Sequence, residues 1–248
     1  VLTLHNLEIP SGLSAVQRGL LARLDRLVTT RIVLNETTQV PASDHPELLL
    51  HGDYRSWFAG EPQVPAVPGR VGYVGLIRRY KNVAALVRAF RQLPNEQAAS
   101  LHISGRPSSD ELLSELGEAA DGDPRITIRP EFLDDAQLAR EVQESELLVL
   151  PYQEMHNSGT VLLALSFHRP VLVPDNPTTA ALAAEVGSVW VQRYAGEFTS
   201  GALARALAAV RAAGLIGSDR APDLHRRSWS TAGAQHLAVF RGALRRRS

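Results

Sequence analysis

The chain contains no cysteine. That absence removes disulfide frameworks, thiolate zinc clusters and thiol nucleophiles together, and it is compatible with a reducing cytoplasm. Neither charge sign is in excess: 26 basic residues face 26 acidic ones. A nucleic-acid binder is expected to present a basic face, so no nucleic-acid partner is expected. Long apolar runs are missing as well. Nothing approaches the ~18–20 residues that would cross a bilayer, and no signal-peptide pattern is visible. Lysine is nearly absent. Lys81 is the only one, so arginine supplies 25 of the 26 basic side chains.

What is present is the composition of a globular protein, 44% hydrophobic and 21% charged over 248 residues. That length allows one or two cores. The sequence opens on Val1 and not on Met, so its start is expected to lie outside these residues. The basic tail Arg241–Ser248 reads first as a helix end whose cations suit the C-terminal dipole. Its alternative is a weak peripheral contact with an anionic membrane surface.

Short apolar runs alternate with helical periodicity along most of the chain. Strands are predicted at 1–4, 31–34 and 48–50, with a helix over 13–28. A stretch holding Pro62, Pro65, Pro68 and Gly69 follows and is predicted as a linker. From there strands at 70–74, 100–103, 125–128, 147–150, 170–173 and 189–191 alternate with helices of about ten residues. Such alternation means βαβ units, parallel sheets and right-handed crossovers. Ligands in these folds bind at the carboxyl ends of strands, which selects the loops after Leu4, Val74, Ile103, Leu150 and Val173.

One of those loops opens LLVLPYQEMHNSGTVLLALSFHRPVLVPD, over 147–175. There Asn157 and Ser158 can cap a helix that begins at Gly159 and Thr160. Unpaired N–H groups at a helix start, with no side chain at Gly159, form an anion site. Hydroxyls at Ser158 and Thr160 can add donors. An ordinary cap on a buried helix is the plainer reading, and the position at a strand's carboxyl end favours the anion site. A second loop, VGLIRRYKN over 74–82, offers Gly75 for close approach and Arg78, Arg79 and Lys81 for phosphate. A solvated cationic loop suffices for Arg79. The third, Ser104-Gly105-Arg106-Pro107, is either a plain turn or a neighbour of a base or phosphate. No His, Asp or Glu spacing makes a convincing metal site, and His5, His51 and His102 read first as structural.

The blocks VGLIRRYKNV, LHISGRP, LLVLPYQEMHNSGTVLLALSFHRPVLVPD and RSWS, in that order, resemble retaining glycosyltransferases of the GT-B fold (group 1, family 4-like). VLTLHN and HGDYRSWF extend the resemblance upstream, toward a divergent bacterial branch. It implies an α/β protein of two Rossmann-like domains with parallel sheets. A partial acceptor-side domain is expected over 1–67, a donor-binding domain over 68–228, and a helix over 229–248 that crosses back to the first. Family members have roughly 150–200 residues before the linker, in line with ordinary domain sizes; here the first domain is expected to be incomplete.

The resemblance further implies a cytoplasmic enzyme, in places peripheral at the inner face of the membrane, that transfers a hexose from a nucleotide diphosphate sugar with retention. The acceptor would be a saccharide or lipid-linked hydroxyl, in polysaccharide or glycolipid assembly, with neither metal nor cofactor. Lys81 falls on the family's phosphate lysine, and Ser158, Gly159 and Thr160 where backbone amides meet the diphosphate. Gly75, Arg78, Arg106 and Asn157 complete the expected donor site. His5 falls on a histidine beside the transferred sugar, so His5 and Lys81 are the expected catalytic pair. Leu76 stands where the family has an arginine, and Met155 and Leu163 stand where many members have glutamates, with Glu154 one place off. A non-catalytic nucleotide-sugar-binding subunit and a sugar-nucleotide epimerase on the same scaffold are the alternatives.

Overall fold

The computed structural model describes residues 1–4, 14–40 and 45–245. By its internal contacts the chain divides into two compact units, Val1–Asp53 with His225–Ser248, and Tyr54–Leu224.

The first unit holds a three-stranded parallel sheet in the order β1 (Leu2–Leu4), β2 (Arg31–Val33), β3 (Pro46–Leu48). In register, Leu4 faces Val33, and Val33 faces Leu48. The third strand stops two residues earlier than its apolar run suggests, because pairing with β2 ends at Leu48. Helix α1 (Ala15–Asp25) runs between β1 and β2; Ser14 and Gln17 form a reciprocal capping box at its start. The last helix, named α8 (Trp229–Arg245) in chain order, belongs to this unit, and its Val239 joins Ile32, Leu34 and Leu49 in a small core. Its Trp229 donates the indole N–H to the Asp53 carbonyl at 2.5 Å.

The second unit is a doubly wound sheet. Its strands are β4 (Arg70–Val74), β5 (Ser100–Ser104), β6 (Ile126–Arg129), β7 (Leu147–Val149), β8 (Val171–Pro174) and β9 (Val191–Tyr194). They lie in the order β6-β5-β4-β7-β8-β9, each pair parallel. Helices α2 (Val83–Arg91), α3 (Asp110–Ala120), α4 (Asp135–Glu144), α5 (Gly159–Ser166), α6 (Pro177–Val186) and α7 (Ser200–Ala212) connect or follow them. From β4 the chain winds outward to β6, then returns across β4 to start β7. The switch point therefore falls between β4 and β7, where successive loops leave in opposite directions and a crevice opens.

Burial explains the runs of apolar residues. Leu147, Leu148, Val149 and Leu150 have no exposure, as expected of a central parallel strand covered on both faces. On α2, Val83, Leu86, Val87 and Phe90 face the core while Arg88 and Arg91 face outward. Fully burying each such side chain contributes about 1.5–3 kcal/mol.

The proline-rich stretch is not a bridge between the units. It lies within the second one, because the prolines leave carbonyls that side chains of that unit satisfy. The Gln143 amide donates to Pro62 O at 3.0 Å and accepts from Val64 N at 2.9 Å. Arg169 donates to Val64 O at 3.2 Å. The chain passes between units at Asp53/Tyr54 and Leu224/His225.

At the amino edge of this sheet, opposite the loops that matter below, Arg70 pairs with Glu141 at 2.5 Å and with Glu144. Arg211 holds the buried Glu146 in two hydrogen bonds, 2.7 and 2.9 Å. This end is tied by charge, and the carboxyl end is left to loops.

Candidate active site

The crevice at the switch point is built from three loops. The one after β4 begins at Gly75, whose φ of 117° is open to glycine and strained for other residues. It zips onto the loop after β5: Gly75 N donates to Ser104 O at 3.0 Å, Ile77 N to Arg106 O at 2.9 Å, and Ser108 N to Ile77 O at 2.9 Å. At Gly105 a methyl group would lie 2.0 Å from Gly75 O, so the two backbones touch only because that side chain is absent. A 3₁₀ turn, Arg79–Lys81, and Asn82 in the left-handed region then turn the chain into α2.

The third loop follows β7 and feeds α5. Ser158 is the N-cap of α5 in extended conformation, and its side chain makes no capping hydrogen bond. The first-turn N–H groups of a helix have no partner within it, so this start keeps its donors and its positive dipole end. The space at Gly159 is narrow: a methyl there would meet Tyr54 Oη at 2.8 Å, and that side chain would have to shift. The Asn176 side chain fixes the loop from below by donating to Met155 O at 2.8 Å.

These loops converge. A methyl placed on Gly75 would lie 3.6 Å from Lys81 Nζ and 3.7 Å from Thr160 Oγ1. Gly75, Lys81 and Thr160 thus border one notch, with the start of α5 as its wall. Burial and the neighbouring Arg78 lower the Lys81 ammonium to about 8, as expected of a desolvated cation with no bound counter-charge. Arg78 and Arg106 are exposed on the flanking loops, and Asn157 and Ser158 are half-buried before the helix. Arg79 turns away to Glu115 at 3.8 Å, with both side chains in solvent, a contact worth little.

His5 lies outside the described residues. His102 lies in β5, and burial followed by Arg70 lowers its pKa. His51 sits in the first unit with its ring nitrogen 2.9 Å from Gly52 O. Among the described residues no group of three or more His, Asp or Glu is placed to hold a metal ion, and no helix is long and apolar enough to cross a membrane.

Met155 and Leu163 are each 6% exposed and belong to the main core. A carboxylate at either position would be buried among apolar side chains. A cleft of about 790 Å³ opens nearby between α2 and the start of α7. Asp175 and Glu197 share its lining with Arg88. Mixed charge makes it a poorer seat for a diphosphate than the all-cationic notch.

Sequence reasoning missed three tyrosines. Tyr73 donates to Leu76 O at 3.0 Å and so pins the loop after β4. The Tyr152 ring lies under Lys81, with Nζ 5.0 Å from its centroid. Tyr54 backs Gly159. The available signal was placement: RVGYVG and LLVLPYQ each put a tyrosine at a strand's carboxyl end.

Comparison with known proteins agrees with this architecture. The family model for glycosyl transferases group 1 matches residues 68–210. A GDP-mannose:glycolipid 4-beta-D-mannosyltransferase from Xanthomonas campestris pv. campestris is 42% identical over 246 residues, 98% of this chain and 68% of that protein. Among solved structures, a sucrose-phosphate synthase from Thermosynechococcus elongatus aligns over 98% of this chain and 67% of its own, with a TM-score of 0.68 and 18% identity. HepE of Anabaena, solved with UDP and glucose, aligns over 97% of this chain and 71% of its own, with a TM-score of 0.69 and 14% identity. The chain therefore belongs to the glycosyl transferases group 1, as a glycosyltransferase with the GT-B fold and a first sheet of three strands.

Proposed function

We propose that this glycosyltransferase moves mannose from GDP-mannose to a hydroxyl of a lipid-linked saccharide. The observation that supports it most is the 42% identity, across nearly the whole chain, to a protein named for that reaction. The notch fits the donor's chemistry. Departure of the nucleoside diphosphate builds negative charge, and fixed donors aimed at that charge supply the largest catalytic term in such reactions. In this reading Lys81, Arg78 and the start of α5 meet the diphosphate, Thr160 and Ser158 add hydroxyl donors, and Gly75 and Gly159 let it approach the backbone. Arg106 and Asn157 border the same seat.

Retention, which the wider resemblance implies, gives way here to inversion. The relative's name specifies a β linkage, and mannose in GDP-mannose is α-linked to phosphate, so a β product needs one displacement from the opposite face. A single displacement needs a group to take the acceptor proton, and a histidine is suited to that near neutral pH. His5 is the proposed residue. We further propose that the reaction needs no metal, that it runs in the cytoplasm, and that the basic tail gives weak contact with an anionic membrane surface.

The test is transfer from GDP-mannose to a lipid-linked oligosaccharide acceptor in the presence of a chelator, with the product's anomeric configuration read by NMR. A β-mannoside formed in chelator supports the whole reading; an α-mannoside restores retention. Release of an isomerised sugar nucleotide without acceptor would favour the epimerase. Tight donor binding with no turnover by the intact protein would favour the binding subunit.

A further inference from the structure

The Tyr152 side chain is 6% exposed, and its hydroxyl is sealed from solvent with no hydrogen-bond partner. An unmade bond of this kind is costly to a fold, and buried polar groups left without partners are few. Three hydroxyls lie close to it. Burial pushes the Tyr152 phenol up to about 12, while the approach of Thr160, Tyr73 and Ser158 draws it part of the way back. None of the three makes a hydrogen bond to it. Tyr73 already donates to Leu76 O. Ser158 and Thr160 are the two hydroxyls at the start of α5, and Thr160 Oγ1 also borders the notch at Gly75.

A threonine hydroxyl has one proton to give and two lone pairs to receive with. When an anion in the notch draws the Thr160 proton toward itself, a lone pair of the same oxygen is left for the Tyr152 hydroxyl. The chain Tyr152 to Thr160 to phosphate is cooperative once closed.

We propose that Tyr152 is the positioning residue of the phosphate notch: its ring seats the Lys81 ammonium, and its hydroxyl bonds Thr160 when a diphosphate occupies the site. This rests on the donor-site reading above and names a residue that reading does not use. In the empty protein the hydroxyl is a cost to stability, and in the complex it contributes to affinity. The same atom thus acts with opposite sign in the two states, which a purely structural tyrosine would not do.

The experiment is calorimetric titration of the intact chain with GDP and with guanosine, for wild type, Tyr152→Phe, Thr160→Val and the double variant, beside thermal unfolding of each free protein. Tyr152→Phe keeps the ring and its volume. It is expected to weaken GDP binding about 3- to 10-fold, the range that one net hydrogen bond spans, and to leave guanosine binding unchanged. The free variant should unfold at the same temperature as wild type or higher. In the Thr160→Val background the second substitution should cost nothing further. Unchanged GDP affinity in Tyr152→Phe, an equal loss for guanosine, or full additivity with Thr160→Val overturns the inference and leaves the donor site standing. Failure of the folded wild type to bind GDP removes the donor site itself, and the inference with it.

Discussion

Lys81 is the one lysine in the chain, and its ammonium is held in the notch beside Gly75 and Thr160. Its ammonium is lowered to about 8, first by burial and then by Arg78. A bound diphosphate supplies the missing counter-charge and raises it again. Nucleotide binding near pH 8 should therefore take up protons, and affinity should fall as pH rises through that value. Titrations at pH 8 in buffers of different ionisation enthalpy read the uptake directly; an apparent enthalpy independent of buffer would contradict it. The sign for stability is opposite. Between about 8 and its ordinary 10.5, the lysine of the unfolded chain binds the proton that the folded one has lost, so this group adds stability as pH rises across that window. Lys81→Ala should weaken GDP binding about 10- to 100-fold, as loss of a charge-assisted contact does, and should abolish the proton uptake.

The element that organises the notch is α5, and its first residue tests that directly. Gly159→Ala places a methyl 2.8 Å from Tyr54 Oη, the far end of a side chain that can give way. Mild overpacking is then offset by the better helix propensity of alanine, so stability should stay within about 1 kcal/mol of wild type. The methyl nevertheless covers the helix start where an anion would sit, and GDP affinity should drop at least about tenfold. Retained affinity would place the phosphates elsewhere. Arg70 gives the converse result. It sits at the opposite end of β4 between Glu141 and Glu144, and Arg70→Ala takes the buried cation from both carboxylates, leaving Glu141 to Arg129 and Glu144 to Arg140. Chemical denaturation should show a loss of about 1.5–3 kcal/mol, as for lost hydrogen bonds to charged groups, while the protein that remains folded keeps its nucleotide affinity.

The same elements show how far the sequence could be read. Strands such as LLVL and RVGYV are fully buried and bounded by Gly or Pro, so period and punctuation give them away. The loops that follow them are then located by the rule of parallel sheets. The proline-rich stretch misleads because composition reports a missing donor and says nothing about which side chains will donate to its carbonyls; Gln143 and Arg169 do so from far along the chain. Tyr152 is invisible for a related reason. It stands 71 residues from Lys81 in sequence (152 − 81) and meets it only because β4 and β7 are neighbours in the sheet.

Over the whole chain, every described residue of the proposed donor site lies in the unit Tyr54–Leu224, which also holds the main core from Phe58 to Leu224. Its sheet of six strands has both faces covered, its amino edge is tied by Arg70 and Arg211, and its proline-rich lead-in is bonded to its own side chains. Among the described residues, the first unit offers a sheet of three short strands and a small buried cluster of Ile32, Leu34, Leu49 and Val239, little apolar area from which to draw stability. A fragment spanning 54–224 should therefore fold alone, unfold in one cooperative transition, and bind GDP within a few-fold of the intact chain. It should transfer no mannose, since it lacks His5, the residue proposed to take the acceptor proton. A fragment that is folded yet fails to bind GDP would show that the first unit supplies donor contacts, and would move the search for them to residues 1–53 and 225–248.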